Sequence, residues 1–250
     1  MRRVESTVEA ISQAGRIVKQ AKRLVVFTGA GVSADSGVPT FRGAAADALW
    51  GKYDPRQLAS PQGFARDPKL VYDWYTWRRS QLAKVEPNPA HQTIARWQKN
   101  GAVVITQNVD GLHERCAPDG AVIYRVHGTL AEDRCSACEH REAVDLHNLP
   151  TLRACPKCGE LLRPAVVWFG ESLDPDVWRG SMAAARSADA LLVVGTSGEV
   201  YPAAGLVEIA ASAGAKVVIV NLDPGPLDDL ADVTLHGRAA EILPQIEAAN

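Results

Sequence analysis

The chain has 250 residues, enough for one large core or one core with an insertion, and its 46% hydrophobic and 22% charged content is ordinary for a globular protein. A formal charge of −2 predicts no general affinity for nucleic acid or membrane surfaces, and the longest apolar runs fall far short of a membrane span. Four of the five cysteines form two C-x-x-C pairs, which in an intracellular-looking enzyme point to metal rather than disulfides, so a cytoplasmic location is expected.

Residues 4–22 place Val4, Val8, Ile11, Ile17 and Val18 at helical spacing, with acids among them that set the segment apart from a signal peptide. Residues 24–27 are a short apolar run of the kind that forms a buried parallel strand, and it stops abruptly at Thr28-Gly29-Ala30-Gly31. Gly29, Gly31 and Ala34 fit the G-x-G-x-x-G/A dinucleotide fingerprint, with the strand that the fingerprint requires before it. Glycine there allows a tight turn and lets backbone amides approach a pyrophosphate, while a following helix N-terminus adds partial positive charge. A tight turn with no ligand is the plainer reading. The continuation from Asp35 to Gly43, a Gly/Pro-punctuated loop bearing Phe41 and Arg42, favours the nucleotide site.

Residues 44–90 are mostly polar and aromatic, with Pro55, Pro61 and Pro68 separating short helices. Residues 89–98 read as a helix ended by Gly101, residues 102–106 as a second buried strand, and residues 122–126 as a third that runs into His127-Gly128. Residues 131–164 are cysteine-rich, charged and turn-prone, and a strand over 166–169 is expected to lead out of them. Residues 190–194 run into Gly195-Thr196-Ser197, and residues 216–220 into Asn221-Leu222-Asp223. Strands alternating with helices imply an α/β fold with a Rossmann-like, doubly wound parallel sheet and a smaller zinc-ribbon plus helical domain. Ligands in such sheets bind at the carboxyl ends of the strands, so the five polar strand ends should converge on one crevice.

Cys135, Cys138, Cys155 and Cys158 have zinc-ribbon spacing, and four thiolates leave no open coordination position, so a structural zinc is expected. A redox dithiol is the rival, although neither pair opens a helix after a strand. His140 and His147 should be solvated, and Cys116 should be a small buried hydrophobe. Gln107, Asn108 and Asp110 could merely cap the next helix, or could hold a carboxamide and a ribose. His127, at a strand end and followed by glycine, should project into the crevice as a general base.

GAGVSADSGVPTFRG, TQNVDGLH, the His-Gly after a strand, the two C-x-x-C pairs, VVWFGE, GTSGEVYP and NLD, in that order over residues 20–245, resemble the sirtuins, NAD-dependent protein-lysine deacylases. The resemblance implies a discontinuous NAD-binding domain (residues 1–43, 81–130 and 165–250) and a small domain (residues 44–80 and 131–164), with the acyl-lysine peptide entering between them. By position it assigns Gly29, Ala30, Gly31, Asp35, Phe41 and Arg42 to the NAD-binding segment and its loop. Gln107, Asn108 and Asp110 would surround the nicotinamide and its ribose. Gly195, Thr196, Ser197, Asn221, Asp223 and Ala239 would hold the adenosine half. Val167, Trp168, Phe169, Gly170 and Glu171 would pair with the substrate backbone as an added strand, against the loop of residues 198–201.

In the implied reaction nicotinamide leaves, the acyl oxygen attacks the ribose anomeric carbon, and His127 accepts a proton from a ribose hydroxyl. Water then completes release of lysine and O-acyl-ADP-ribose. Tyr75 and Arg78 sit i, i+3 on one helix and can face the same way. Tyr75 could simply pack and Arg78 snorkel, but in the family a Tyr-x-x-Arg pair marks members that accept succinyl and malonyl chains, with Arg supplying a carboxylate fork. The small run Gly43-Ala44-Ala45-Ala46 is consistent with a roomy acyl pocket. The expected partners are acyl-lysine proteins, with no nucleic acid or membrane, and a monomer. A mono-ADP-ribosyltransferase using the same cleft and a non-catalytic NAD-metabolite sensor stay open. A dehydrogenase is disfavoured, because the acidic residue due about 20 positions after the glycines has no convincing counterpart.

Overall fold

The computed structural model describes residues 7–40, 49 and 53–249. Among them the strands are β1 (Leu24–Thr28), β2 (Val103–Thr106), β3 (Ile123–Arg125), β4 (Gly128–Cys135), β5 (Arg141–Ala143), β6 (Leu162–Val166), β7 (Ala190–Val194), β8 (Lys216–Asn221) and β9 (Val233–His236). Six form one sheet in the order β3-β2-β1-β7-β8-β9, and every pairing in it is parallel. The order reverses between β1 and β7, which is the switch point where a doubly wound sheet opens a crevice.

The continuous apolar runs are explained by burial on both faces. Leu24 and Val26 enter one core while Val25 and Phe27 enter the other; Leu192 and Val194 divide from Leu191 and Val193 in the same way, and Val218 and Val220 from Val217 and Ile219. With period 2 and two covered faces, the central strands carry polar residues only at their ends, as at Thr28, Thr106 and Asn221. Full burial of such a side chain contributes about 1.5–3 kcal/mol.

Three expectations need correction. The first helix, Thr7–Gln20, does not bury Val8, which is 74% exposed; its inward stripe is Ala10, Ala14 and Val18. Small residues face in because the C-terminal helix, Ala239–Ala248, lies close against them, so close that a Cβ at Gly15 would sit 3.1 Å from Ala249 Cβ. The strand expected over 166–169 ends where it was to begin: β6 is Leu162–Val166 and pairs antiparallel with β4. β9 at the far edge was not anticipated; it is four residues long and pairs with β8 only.

β5-β4-β6 form a second, antiparallel sheet. Beside it stand helices Pro55–Leu58, Pro61–Arg66 and Pro68–Leu82, each with proline in its first turn behind a capping Asp54, Ser60 or Asp67. The prolines therefore start helices as well as separate them. Phe64, Val71, Trp74 and Tyr75 pack with Leu130, Val166 and Trp168 to join these helices to the small sheet. The seam also carries charge: Arg79 Nη2 and Asp133 Oδ1 pair at 2.7 Å with both side chains wholly buried. Tyr72 Oη donates to Asp133 Oδ2 (2.6 Å), Arg153 Nη1 approaches the same oxygen (3.0 Å), and Arg79 Nε donates to Leu130 O (2.8 Å).

Candidate functional site: the crevice at the strand ends

All six strands of the large sheet point one way, so their carboxyl ends share an edge. Backbone bonds lace the emerging loops together: Gly29 N–H to Val194 O (3.0 Å), Gly31 N–H to Gly195 O (2.8 Å), Gln107 N–H to Thr28 O (2.9 Å) and Gly195 N–H to Val220 O (2.9 Å). This geometry revises the role of the glycines. Gly29 and Gly31 donate within the chain, and a Cβ at Gly31 would stand 2.7 Å from Gly195 Cα. Their first duty is to let the β1 and β7 loops touch, which shapes the cradle. The segment after them, Ala30–Ser36, is a 3-10 turn rather than an α-helix and so offers no full helix dipole.

Above the cradle, Gln107 Nε2 donates to Thr196 Oγ1 (2.8 Å) and Asn221 Nδ2 donates to Thr196 O (2.7 Å), linking three strand ends. Ser197 and Asp223 are exposed on the β7 and β8 loops. Ala239 is buried at the start of the last helix, and Asp35 is spent on holding that helix: it pairs with Arg238 and accepts from Ala240 N–H at 3.3 Å. Asp35 thus acts as a tether in this structure. Phe41 and Arg42, with the 43–46 run, lie outside the described residues.

Beneath the crevice runs a buried polar network that the sequence did not reveal. Ser33 Oγ donates to Asp110 Oδ2 (2.8 Å) and accepts from Asn108 Nδ2 (3.1 Å), with His91 Nε2 at 3.3 Å. Asp110 Oδ1 accepts from Leu112 N–H (2.9 Å), so this carboxylate does cap the short helix Leu112–Cys116 as well as facing the crevice. Asn88 accepts from the Ala90 N–H (2.9 Å), and its Nδ2 donates to Val32 O (2.8 Å). His113 Nε2 meets Thr28 Oγ1 at 2.9 Å, and its ring lies 4.9 Å from that of His91. Burial pushes His91 down to about 4 and His113 down to about 3, so both rings are neutral at pH 7. Ser33 and His113 follow strand ends, but His91 sits in the first turn of helix Pro89–Lys99, and nothing in their spacing pairs residues 33, 91 and 113.

His127 stands half-buried at the end of β3, with Nδ1 3.2 Å from Gln107 O. A carbonyl can only accept, so Nδ1 carries the proton and Nε2 keeps a bare lone pair. Burial lowers the ring's pKa, opposed by that backbone bond. Gly128 must be glycine: its φ is +81°, and a Cβ would lie 2.1 Å from Ala165 O, where β6 crosses. The general-base reading thereby gains its tautomer from the fold.

On helix Pro68–Leu82, Tyr75 is 1% exposed and its hydroxyl accepts from Trp168 Nε1 (2.9 Å). Arg78 is also buried, its guanidinium 5.1 Å from the Trp74 ring and 5.6 Å from that of Tyr75, and it lines a cavity with Val38, Pro39, Leu49 and Leu82. Burial lowers the pKa of Arg78, against the opposing influence of Tyr75 and Asp110. The side chain does not snorkel.

The segment 167–171 is bound down by its own chain: Val167 N–H donates to His127 O and Phe169 N–H to Ala59 O, both at 2.9 Å. Glu171, expected to meet substrate, accepts at 2.8 Å from Arg163 and from the Trp168 N–H, and at 3.0 Å from Arg134. Its carboxylate braces the loop that carries Trp168, Phe169 and Gly170. Arg163 completes the brace, lying 3.6 Å from the Trp168 ring.

The four thiols meet in one cluster. Cys135 and Cys158 Sγ are 3.4 Å apart, Cys138 and Cys155 Sγ 3.7 Å, and all four lie within 4.8 Å of one another. Both close pairs cross between the two C-x-x-C turns, as a shared ion demands and an oxidised C-x-x-C does not. A zinc tetrahedron with Zn–S of about 2.3 Å spaces its sulfurs about 3.8 Å apart, so the donors fit. Ala137 N–H to Cys135 Sγ and Lys157 N–H to Cys155 Sγ, both 3.4 Å, repeat the same turn twice. The first of these bonds helps to pull the Cys135 thiol down to about 6. His140 is engaged with Glu142 (3.0 Å) instead of solvated, His147 is exposed, and Cys116 is only half-buried.

The model of the Sir2 family matches residues 29–202. The chain belongs to the Sir2 family. It is 47% identical over 234 residues to NAD-dependent protein deacylase 2 of Pyrobaculum aerophilum, covering 92% of each chain. A Sir2 homologue solved with ADP-ribose superposes with a TM-score of 0.90 at 42% identity, over 95% of each chain. A Sir2 solved with a deacetylated p53 peptide and an acetyl ADP-ribose superposes at 0.84 with 30% identity, over 95% of this chain and 97% of that one. This Sir2 enzyme is an NAD-dependent protein deacylase, with NAD as co-substrate and one structural zinc on Cys135, Cys138, Cys155 and Cys158. No helix among the described residues is long and apolar enough to cross a membrane.

Proposed function

We propose that this enzyme prefers lysines carrying short acidic acyl groups, succinyl and malonyl, over acetyl-lysine, and releases nicotinamide and O-acyl-ADP-ribose. The observation that carries the preference is a buried guanidinium: Arg78 is 8% exposed in a cavity walled mainly by apolar side chains, next to the buried hydroxyl of Tyr75. A guanidinium in such a wall favours an acyl chain ending in a carboxylate, which can take its fork bidentately, over one ending in methyl. Trp168 Nε1 donates to the Tyr75 hydroxyl, and the Tyr75 ring in turn lies 5.6 Å from the Arg78 guanidinium.

When bound, NAD supplies an N-glycosidic bond whose nicotinamide is a ready leaving group. Gln107, Asn108 and Asp110 would surround its nicotinamide ribose and carboxamide, a role supported by the bonds through Ser33 that fix Asn108 and Asp110. The 195–197 loop with Asn221, Asp223 and Ala239 would hold the adenosine half, and Ala30 would belong to the NAD-binding segment after β1. His127 Nε2, neutral and unprotonated, takes a proton from a ribose hydroxyl, while Nδ1–H stays on Gln107 O and keeps the ring oriented. The substrate backbone docks along 167–171 through groups the chain has not already used. The peptide enters between the domain of the six-stranded sheet and a small domain of the zinc module and the helices before it. The modest net charge supports action on proteins rather than nucleic acids, and the metal-type cysteines support a cytoplasmic location; the enzyme is read as a monomer.

The test uses matched succinyl- and acetyl-lysine peptides with NAD, reading nicotinamide and acyl-ADP-ribose by mass spectrometry. Arg78→Met should lower kcat/KM on the succinyl peptide by about 10–100-fold, the worth of a charge-assisted bond, and on the acetyl peptide far less. Equal losses on both peptides would remove the carboxylate clamp. ADP-ribosylated protein as the main product would instead restore the transferase alternative.

A further inference from the structure

Phe169 and Gly170 have a second face. Away from the crevice they line an open groove with Arg56, Gln57, Gln62 and Arg66, on helices Pro55–Leu58 and Pro61–Arg66. We infer that this groove is a specificity subsite for an aspartate or glutamate that flanks the acyl-lysine in the substrate protein. The inference rests on the docking of substrate along 167–171.

The groove is rigid. Its two helices are locked at Gly63, where a Cβ would lie 2.1 Å from Gln57 O, and Ser60 bridges them, accepting from Gly63 N–H (3.0 Å) and donating to Arg56 O (2.5 Å). Phe169 N–H donates to Ala59 O (2.9 Å), which ties the groove to the peptide edge. Arg56 and Arg66 are exposed, and neither pairs with a carboxylate among the described residues. The groove's own acid, Asp54, turns back to accept Arg56 N–H (2.8 Å) as a helix cap. Two guanidiniums, two side-chain amides and the ring of Phe169 therefore line the groove, against the single carboxylate of Asp54, and Phe169 and Gly170 join it to the peptide edge. That set of donors suits a carboxylate on a short apolar stem. Because the whole chain carries −2, the attraction is local to the groove rather than a general pull on acidic proteins.

The experiment uses acetyl-lysine peptides, so that Arg78 does not enter the comparison. Asp is compared with Asn, one position at a time, at the three residues on either side of the acetyl-lysine, with the wild-type enzyme, Arg56→Gln, Arg66→Gln and the double variant. One position should show an acid-over-amide preference of about 3–20-fold in kcat/KM, carried by KM. Each single variant should lower the ratio, the double should bring it to about one, and 0.5 M salt should flatten it in the wild type. No acid preference at any position, or one that survives the double variant, would overturn the subsite. Phe169→Ala separates the two layers. If it leaves KM for the all-amide peptide unchanged, the docking edge itself is wrong; if it raises that KM while the acid ratio ignores Arg56 and Arg66, only the groove is wrong.

Discussion

The crevice and the seam of the small sheet are both polar interiors, but they are held in different ways. The floor of the crevice is a net of mainly uncharged groups, Thr28, Ser33, Asn88, His91, Asn108 and His113, gathered around one carboxylate, Asp110. The seam is held by full charges, with Arg79 and Arg153 on Asp133, and Arg163 and Arg134 on Glu171. The contrast follows from what each must do. A site that develops positive charge at a sugar carbon needs oriented dipoles and few fixed cations nearby. The small module has little apolar core of its own (Cys135, Cys155 and Leu162 with Cys138), so metal and ion pairs hold it in place.

Removing the metal should break that contrast most severely. Structural zinc contributes about 10–16 kcal/mol in small zinc peptides. Chelation should open residues 136–160 to protease first and abolish peptide deacylation while the six-stranded sheet stays resistant. Uniform digestion of the chain would contradict this. Next comes His127→Ala, which should cost about 10²–10⁴-fold in turnover with an unchanged melting temperature, since the ring makes one long backbone bond. A variant retaining about a third of wild-type turnover would remove the base. Asp133→Asn should cost about 3–5 kcal/mol in denaturant melts, because it leaves Arg79 buried without its counter-charge. The double variant Arg79→Met/Asp133→Leu should recover much of that loss, and no recovery would mean that the seam is held by packing alone.

An effect of similar size by pH 5 sharpens the other side of the comparison. His91 and His113 titrate near 6.5 when unfolded, but only at about 4 and about 3 in the fold. Below pH 6.5 the unfolded chain takes up protons that the native net refuses, so stability is full above that pH and falls as pH drops through the window down to about 3. Each neutral ring contributes up to about 1.4 kcal/mol per pH unit across its window. Melts at pH 7.5, 6.0 and 5.0 should show the loss, and His113→Gln should shallow it. A flat profile would mean that both rings can charge in place.

Local sequence determined five of the six parallel strands, the strand-end loops and the zinc knuckles, because two-sided burial and tetrahedral thiolate geometry each leave a short-range signature; the edge strand β9, paired on one side only, leaves none. Residues 24–28 or 190–194 could hardly be anything but central strands, and Cys135 with Cys138 is one half of a metal cage. The fold alone decided that Gly31 must be bare because Gly195 presses on it, that Asp35 and Glu171 serve the scaffold, that His127 keeps its proton on Nδ1, and that Ser33, His91 and His113 meet under the crevice. Those outcomes depend on groups dozens of residues apart being brought within hydrogen-bond distance, and no spacing along the chain encodes such an encounter.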